Sequence, residues 1–196
     1  MHRVNRMFWK RTAQRYPRWF ADPSRVVEFG SLDVNGSVRD YCPTRFYVGV
    51  DWRPGPRVEM VCLAHDAPFA PESIDTILSA SMLEHDPYWE KSLAKMVEIL
   101  KPDGLIALSW GAARNAIHDV ATAPDYQFHA LKAGLAIAHL ERLGGHIQEF
   151  QYEQTVQGHV DGNSGLGEVV LVGFKDASLL HEPLEIDALL SEDRIA

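Results

Sequence analysis

Five short apolar runs in the first 110 residues constrain the fold more than any other feature of the chain. They lie at residues 25–29, 46–50, 58–63, 74–79 and 105–110. Most of them are apolar at both odd and even positions, which is typical of strands buried on both faces of a parallel sheet. Between the fourth and fifth runs, residues 88–100 carry apolar side chains at helical spacing. The order of strand, crossover and strand predicts a doubly wound, mostly parallel α/β sheet.

The last third of the chain predicts a helix followed by two antiparallel strands. An alanine-rich helical pattern covers residues 127–143 and ends at Gly144-Gly145. Two β-rich runs follow, at 147–153 and 169–174, and a glycine-rich stretch separates them. Strands joined by such a loop are typical of an antiparallel hairpin, which we place at the edge of the sheet. The seven runs together predict a seven-stranded sheet with helices on both of its faces.

The length of 196 residues suits one domain of ordinary size with a sizeable core. We expect a single domain over residues 1–196. It would comprise an N-terminal helical extension at 1–22, an α/β core at 24–175 and an acidic tail at 176–196. The tail would be loosely packed or form a short helix around Leu184–Leu190.

The charge and cysteine content exclude several classes of protein. The net charge of −8 argues against general attraction to nucleic acid, although residues 1–25 hold seven Lys and Arg against one Asp. No apolar run approaches the length of a membrane span, and the basic N-terminus lacks the apolar stretch of a signal peptide. Two cysteines without a CxxC pair, Cys42 and Cys62, argue against a disulfide scaffold and a structural zinc site. We expect a cytoplasmic protein.

Polar residues follow each of the first four strands. Glu28 to Gly36 follow the first strand, Asp51 and Trp52 the second, His65 to Ala67 the third, and Ser79 to His85 the fourth. In an open parallel sheet, ligands bind beyond the carboxyl ends of the strands. The sequence therefore predicts one crevice in which four strand ends each offer a polar anchor.

The motifs at these strand ends resemble those of class I S-adenosylmethionine-dependent methyltransferases, of the methyltransferase-11 type. They occur in family order as Glu28-Phe29-Gly30, Asp51, Asp66-Ala67, Met82-Leu83-Glu84-His85 and Leu100-Lys101-Pro102-Asp103-Gly104. The resemblance covers residues 24–110 and implies a Rossmann-like fold with S-adenosylmethionine as the cofactor. Physical chemistry supports it, because a carboxylate can accept hydrogen bonds from both ribose hydroxyls. Asp51 also lies 21 residues after Gly30, near the offset of roughly 20 expected for a nucleotide ribose.

The resemblance implies a role for each strand end in binding the cofactor. Asp51 would hold the ribose, Asp66 the adenine amino group, and Trp52, Ala67 and Met82 would wall the adenine ring. The cofactor-binding residues that we predict are Glu28, Gly30, Ser31, Asp33, Asn35, Asp51, Trp52, Asp66, Ala67, Ser81 and Met82.

The turn after the first strand departs from the family pattern. Leu32 and Val34 stand where the family repeats glycine, and Gly36 comes later. We expect a longer turn in which Ser31, Asp33 and Asn35 contact the methionine end of the cofactor. The same departure argues against a nicotinamide cofactor, because no GxGxxG motif is present.

His85 is the best single candidate for a general base or a contact to the acceptor, since histidine is the usual base near neutral pH. Its alternative role is helix capping or ring packing, and Glu84 could orient either His85 or the methionine amine.

Trp110, Asn115 and His118 are candidates for lining the acceptor pocket. No HxxxH or HxH pair accompanies the later histidines, so we expect no metal site. The aromatic residues of the first twenty would either cover the pocket as a lid or dock on the sheet.

These observations predict a methyltransferase that acts on a small-molecule or saccharide acceptor, on oxygen. One alternative is a nucleic-acid methyltransferase, which the basic first 25 residues favour. Against it, the fourth strand runs into Ser79-Ala80-Ser81-Met82 and not into an Asn-Pro-Pro-Tyr or Asp-Pro-Pro-Tyr tetrapeptide. The other alternative is a cofactor-binding module without turnover, which the altered turn at Gly30–Gly36 motivates. We expect no membrane partner, and the sequence leaves the oligomeric state open.

Overall fold

The structure, a computed structural model, describes residues 3–111, 131–154 and 167–180. Within them the helices are α1 (Arg3–Arg15), α2 (Pro17–Phe20), α3 (Trp89–Ile99) and α4 (Ala133–Arg142). The strands are β1 (Val26–Phe29), β2 (Tyr47–Asp51), β3 (Met60–Val61), β4 (Ile74–Ala80), β5 (Leu100–Gly111), β6 (His146–Gln154) and β7 (Gly167–Phe174). Short 3-10 turns lie at Val38–Tyr41, Ala64–Asp66, Leu83–His85 and Ala177–Leu179.

The seven strands form one sheet in the order β3-β2-β1-β4-β5-β7-β6. Strands β1 to β5 pair in parallel, whereas β7 is antiparallel to both β5 and β6. This arrangement confirms the predicted doubly wound, mostly parallel sheet with a C-terminal antiparallel pair. The strand order reverses between β1 and β4, and the crevice beyond their carboxyl ends is the expected ligand position in such sheets.

Alternate side chains of the central strands pack into two separate hydrophobic cores, one on each face of the sheet. In β5, Ile106, Leu108 and Trp110 pack with residues of α3 and α4, whereas Leu105 and Ala107 pack with residues of α1 and α2. All five side chains are almost fully buried. The strand is therefore covered on both faces, which explains why its sequence is apolar at both parities and confirms the prediction of helices on both faces.

The N-terminal helices dock on one face of the sheet. Four of their aromatic side chains are buried there: Phe8, Trp9, Trp19 and Phe20. The Trp19 indole N–H donates to the Asp103 carbonyl at 3.0 Å, and its ring lies 5.2 Å from that of Phe174. The Thr76 hydroxyl donates to the Trp19 carbonyl at 2.7 Å. These contacts make α1 and α2 part of the core on this face.

Two predicted strands differ in extent from the observed ones. Of the run at 58–63, only Met60–Val61 forms a strand, β3. This strand lies at the edge of the sheet and pairs only with β2. The segment Lys101–Gly104, which we expected to precede a strand, lies inside β5. Ile74 pairs with Leu100 and Thr76 with Leu105, so the segment forms a bulge in the ladder.

The predicted helix at 127–143 is observed as α4, which ends before Gly144 at a φ of +90°. Residues 127–130, the glycine-rich stretch up to residue 166 and the predicted helix around Leu184–Leu190 lie outside the described residues. In the part of the chain that the structure describes, no helix combines the length and the apolar character needed to cross a membrane.

Trp19→Ala should destabilise the protein by about 3–5 kcal/mol, because it leaves a cavity in the core and removes the bond to Asp103. Urea unfolding measures this free energy. Arg18→Ala is the matched control, since its side chain is 63% exposed and pairs with Asp103 at the surface, and it should cost less than about 1 kcal/mol. Equal losses for the two variants would contradict docking through Trp19.

Candidate functional site

The loop after β1 passes very close to the loop after β4. Gly30 has a φ of +78° and its amide donates to the Val50 carbonyl at 2.9 Å. A Cβ added at Gly30 would lie 2.6 Å from the Met82 Cβ, a distance that real Cβ atoms do not tolerate. Both the backbone conformation and the close approach therefore require glycine here.

The turn from residue 31 to residue 36 is held by side chains instead of further close-packed glycines. The Asp33 Oδ1 accepts a hydrogen bond from the Gly36 amide at 2.8 Å, and Asp33 lies 3.9 Å from the Arg57 guanidinium. Ser31 is buried and its hydroxyl has no hydrogen-bond partner within the described residues. Asn35 is exposed at the tip of the turn. Asp33 thus closes the turn, which leaves Ser31 as its inward-facing polar group.

Asp51 ends β2 beneath this turn. Its side chain is 8% exposed, its Oδ2 accepts from the Leu32 amide at 3.2 Å, and its Oδ1 accepts from the Arg53 amide at 3.0 Å. The carboxylate therefore ties the turn after β1 to the end of β2. Because each carboxylate oxygen can accept two hydrogen bonds, each keeps capacity for one further donor.

The segment after β3 brings the other predicted adenine contacts to the same edge. Asp66 is exposed and ends a 3-10 turn, whereas Ala67 is buried in the core. Trp52 is half-buried under the Arg53 guanidinium, whose carbon lies 4.7 Å from the ring centroid. Asp66 is thus accessible to a ligand, whereas Ala67 is part of the core beneath this edge and is not accessible.

The turn after β4 carries the predicted general base. Ser81 is exposed at a φ of +53°, and its amide donates to the Ser109 carbonyl at 2.8 Å. His85 follows in a 3-10 turn, where its amide donates to the Met82 carbonyl at 2.9 Å and its ring is half-buried. The turn therefore holds Met82 and His85 at the carboxyl edge of the sheet, on the same side as Asp51.

Glu84, which the sequence suggested could orient His85 or the methionine amine, is a buried carboxyl group. Its side chain is 3% exposed, and its Oε1 accepts from the Gly111 amide at 2.8 Å. Within the described residues its Oε2 has no hydrogen-bond partner and no Lys, Arg or His pairs with it. Burial raises the pKa of Glu84 to about 8, and the nearby Glu168 raises it further. Only the fold shows that this residue of a polar turn points inwards.

Glu28 lies apart from the other predicted cofactor contacts. Its carboxylate accepts from the Tyr47 hydroxyl at 2.7 Å on the face of the sheet that α1 covers, and burial raises its pKa to about 7. The Arg39 guanidinium stacks 4.3 Å from the Tyr47 ring centroid and pairs with both oxygens of Glu59. The side chain of Glu28 is therefore bonded to Tyr47 within the sheet, whereas Asp51 lies at the carboxyl end of β2.

The predicted acceptor-pocket residues divide into two groups. Trp110 is fully buried in the core, and its indole N–H donates to the Leu131 carbonyl at 3.3 Å. Asn115 and His118 lie outside the described residues. Among the residues that the structure describes, no group of three or more His, Cys, Asp or Glu side chains could hold a metal ion.

Comparison with known proteins gives one family match. Residues 34–108 match the model of a family described as "Methyltransferase domain". No curated protein matches the chain in sequence. The matched segment runs from the turn after β1 to the middle of β5, so it contains Asp51, Asp66, Met82 and His85.

Several solved structures share the fold at low sequence identity. The 1,6-didemethyltoxoflavin-N1-methyltransferase of Burkholderia thailandensis, solved with bound 1,6-didemethyltoxoflavin and S-adenosylhomocysteine, superimposes with a TM-score of 0.62. It is 18% identical over 86% of this chain and 78% of that one. A putative sarcosine dimethylglycine methyltransferase from Galdieria sulphuraria has a TM-score of 0.63 at 11% identity, over 88% and 86% of the two chains. The [4+2]-cyclase SpnF has a TM-score of 0.62 at 13% identity, over 87% and 81%.

Glu84 should make the stability of the fold depend on pH. The folded protein holds the proton of Glu84 up to about pH 8, whereas an unfolded chain releases it near the ordinary value of 4.5. This contribution to stability is complete below the unfolded pKa and is lost as the pH rises through the folded pKa. The free energy of unfolding of Glu84→Gln should therefore fall less than that of the wild type between about pH 5 and about pH 9.

Urea denaturation across that pH range measures the difference between the two proteins. Glu90→Gln, a change at an exposed position of α3, is the control and should follow the wild type. Because Glu28 titrates in part of the same pH range in both proteins, the quantity compared is the difference in the free energy of unfolding between variant and wild type at each pH. Parallel curves for wild type and Glu84→Gln would contradict the buried, protonated state of Glu84.

Proposed function

We propose that this chain is a class I S-adenosylmethionine-dependent methyltransferase that methylates a hydroxyl oxygen of a small-molecule or saccharide acceptor, and its methyltransferase-domain match and its fold support this assignment. The observation that carries the proposal is the position of Asp51. Its buried carboxylate stands at the end of β2, bonded to the turn after β1 and with acceptor capacity to spare. That is where a nucleoside ribose binds in a sheet of this topology.

The residues at the strand ends fit S-adenosylmethionine as a group. Asp51 would accept from the ribose hydroxyls, and the exposed Asp66 would accept from the adenine amino group. The hydroxyl of Ser31 is buried in the turn without a partner among the described residues, and it would meet the methionine end. The tight contact at Gly30 keeps the turn close to Met82, which would lie against the nucleoside.

The cofactor supplies a methyl group that its positive sulfur already activates. The protein therefore needs to exclude water and to align the acceptor behind that methyl group, and such alignment can account for much of the acceleration. His85 stands at the same edge and would take the proton from the acceptor hydroxyl as the carbon–oxygen bond forms and the carbon–sulfur bond breaks. The products would be the methyl ether and S-adenosylhomocysteine.

A second candidate function is cofactor binding without methyl transfer. The structural neighbour SpnF is named as a [4+2]-cyclase, so a fold of this type does not by itself imply methylation. The altered turn of residues 31–36 also favours this candidate. Binding of S-adenosylhomocysteine with no methyl transfer to any acceptor of a broad panel would support it over the leading proposal.

The two cysteines support a cytoplasmic location. Both Cys42 and Cys62 are free thiols. The Cys42 Sγ donates to the Phe20 carbonyl, and burial raises the pKa of that thiol to about 12. Such thiols are typical of a reducing compartment.

Asp51→Ala should weaken binding of S-adenosylhomocysteine about 10- to 100-fold, because hydrogen bonds to a charged group are lost. Isothermal titration calorimetry measures the dissociation constant. Asp40→Ala is the matched control, since Asp40 is an exposed carboxylate that pairs with Arg57 at 2.9 Å, and it should bind as the wild type does. Normal binding by a folded Asp51→Ala protein would refute the ribose assignment.

His85→Ala should slow methyl transfer by about 100-fold or more and leave the affinity for S-adenosylhomocysteine unchanged. Transfer of a radiolabelled methyl group to a panel of hydroxyl-bearing small molecules and saccharides measures the rate. His139→Ala is the control, because this half-buried histidine of α4 bonds to the Glu90 carbonyl, away from the strand ends. An unchanged rate for His85→Ala would leave the residue a purely structural role.

A further inference from the structure

The carboxyl end of β5 extends beyond its parallel neighbour β4. Strand β4 pairs with β5 as far as Ala80, which lies opposite Ser109, and the next amide, that of Ser81, donates to the Ser109 carbonyl at 2.8 Å. Strand β5 continues for two more residues, to Gly111. Backbone groups two residues apart on a strand point to the same side. The Gly111 amide therefore points to the side of β4 at a level where β4 has already ended.

Glu84 takes the place of the missing strand partner at this point. Its Oε1 accepts a hydrogen bond from the Gly111 amide at 2.8 Å, and its side chain is almost fully buried. A buried amide needs a hydrogen-bond partner, and the carboxyl group supplies the one that the shorter β4 does not. The turn after β4 is therefore bonded to β5 twice, through the main chain at Ser109 and through a side chain at Gly111.

The backbone of this turn shows why such bonds are needed. Ser81 has a φ of +53°, a left-handed conformation that residues other than glycine keep only when their surroundings hold them in it. Leu83 anchors the middle of the turn in the core, where its side chain has no exposed surface. The bond from Glu84 to Gly111 adds a polar anchor next to this apolar one.

The two residues of the turn that the proposed site uses lie on either side of these anchors. Met82 packs against the turn after β1, where a Cβ added at Gly30 would lie 2.6 Å from the Met82 Cβ. His85 follows Glu84 directly, and its amide donates to the Met82 carbonyl at 2.9 Å. A displacement of Glu84 would therefore move both the side chain that would lie against the nucleoside and the candidate base.

We propose that Glu84 is a positioning residue, which holds Met82 and His85 in place for the cofactor and the acceptor by bonding to the end of β5 at Gly111. It acts through the turn and not by contact with either ligand. This inference rests on the proposed methyltransferase function and assigns the residue that preorganises one side of its site.

The protonated form of Glu84 suits this role. Burial, together with Glu168 opposite Gly111 on β7, raises the pKa of Glu84 to about 8. His85 and Asp86 flank it in the chain, and the carboxylate of Asp86 is engaged with the start of α3. Loss of the proton would place a second negative charge beside Glu168 in a buried position, where within the described residues no cationic side chain pairs with Glu84. We therefore expect the turn to loosen as the pH rises through about 8.

The first test compares two substitutions of similar size. Glu84→Gln keeps an oxygen that can accept from the Gly111 amide, whereas Glu84→Leu leaves that amide without its partner. Isothermal titration calorimetry at pH 7 should give a dissociation constant for S-adenosylhomocysteine within about twofold of the wild type for Glu84→Gln and about tenfold higher for Glu84→Leu. A turn that occupies its binding position in about a tenth of the molecules weakens binding by the same factor. Glu90→Leu, at an exposed position of α3, should bind as the wild type does.

NMR spectra of protein labelled with carbon-13 in its methionine methyl groups report the position of the turn. The Met82 signal is identified by its absence from Met82→Leu. It should shift on addition of S-adenosylhomocysteine in the wild type and in Glu84→Gln, and it should shift much less in Glu84→Leu. If Glu84→Leu loses only stability, with the Met82 shift and the dissociation constant of the wild type, the role of Glu84 is purely structural and the proposal is wrong.

The pH dependence of binding provides a test that does not require Glu84→Leu to fold. Between about pH 7 and about pH 9 the dissociation constant of the wild type for S-adenosylhomocysteine should rise about tenfold more than that of Glu84→Gln, because about nine-tenths of Glu84 is ionised one pH unit above its pKa. Other groups that titrate in this range, on the ligand or at Glu28, affect both proteins alike. An equal rise in the two proteins would overturn the proposal.

The outcomes separate this inference from the proposed function. If the wild type binds S-adenosylhomocysteine and both tests show no difference attributable to Glu84, the positioning role is wrong while the cofactor assignment stands. If the wild type does not bind S-adenosylhomocysteine at any pH in this range, the proposed function fails, and this inference fails with it.

Discussion

Strands β1, β4 and β5 have an apolar core on each side, and the rest of the structure depends on that double burial. Because both faces of these strands are covered and mostly apolar, polar side chains that can reach a ligand lie where the strands end. Asp51, Asp66 and His85 all stand at such ends, which come together because the strands are parallel. The parallel, doubly covered sheet that stabilises the core thus also brings the candidate site residues together at its carboxyl edge.

The carboxyl groups at and near that edge have different environments, and the differences separate their roles. Asp51 accepts two backbone amides and keeps capacity for a ligand, which suits the recognition of a ribose. Glu84 is sealed between the turn after β4 and the end of β5, where burial raises its pKa. Glu28 is engaged with Tyr47 on the α1 side of the sheet. A carboxyl group in the sequence therefore does not have one function, because its neighbours decide whether it binds, titrates or stabilises.

The parts of the fold that the sequence predicts are those with a strong periodic signal. Runs that are apolar at both parities mark β1, β4 and β5, and the helical spacing over residues 88–100 marks α3. The two-residue β3 has little such signal, since an edge strand pairs on one side only. The bulge at Lys101–Gly104 also escapes prediction, because it depends on the register with β4.

The candidate site was predictable in part for a related reason. Residues directly after strands, such as Asp51 and His85, can be placed at the carboxyl edge from the chain order alone. The inward orientation of Glu84 could not be foreseen, because it depends on how the turn after β4 packs against the end of β5.

A crystal structure of the protein with bound S-adenosylhomocysteine tests the central claim most directly. The account predicts that the nucleoside lies across the ends of β1, β2 and β4, with both ribose hydroxyls within hydrogen-bonding distance of Asp51 and the sulfur facing His85. A structure in which the crevice stays empty at saturating ligand, or in which the ribose binds away from Asp51, would contradict it.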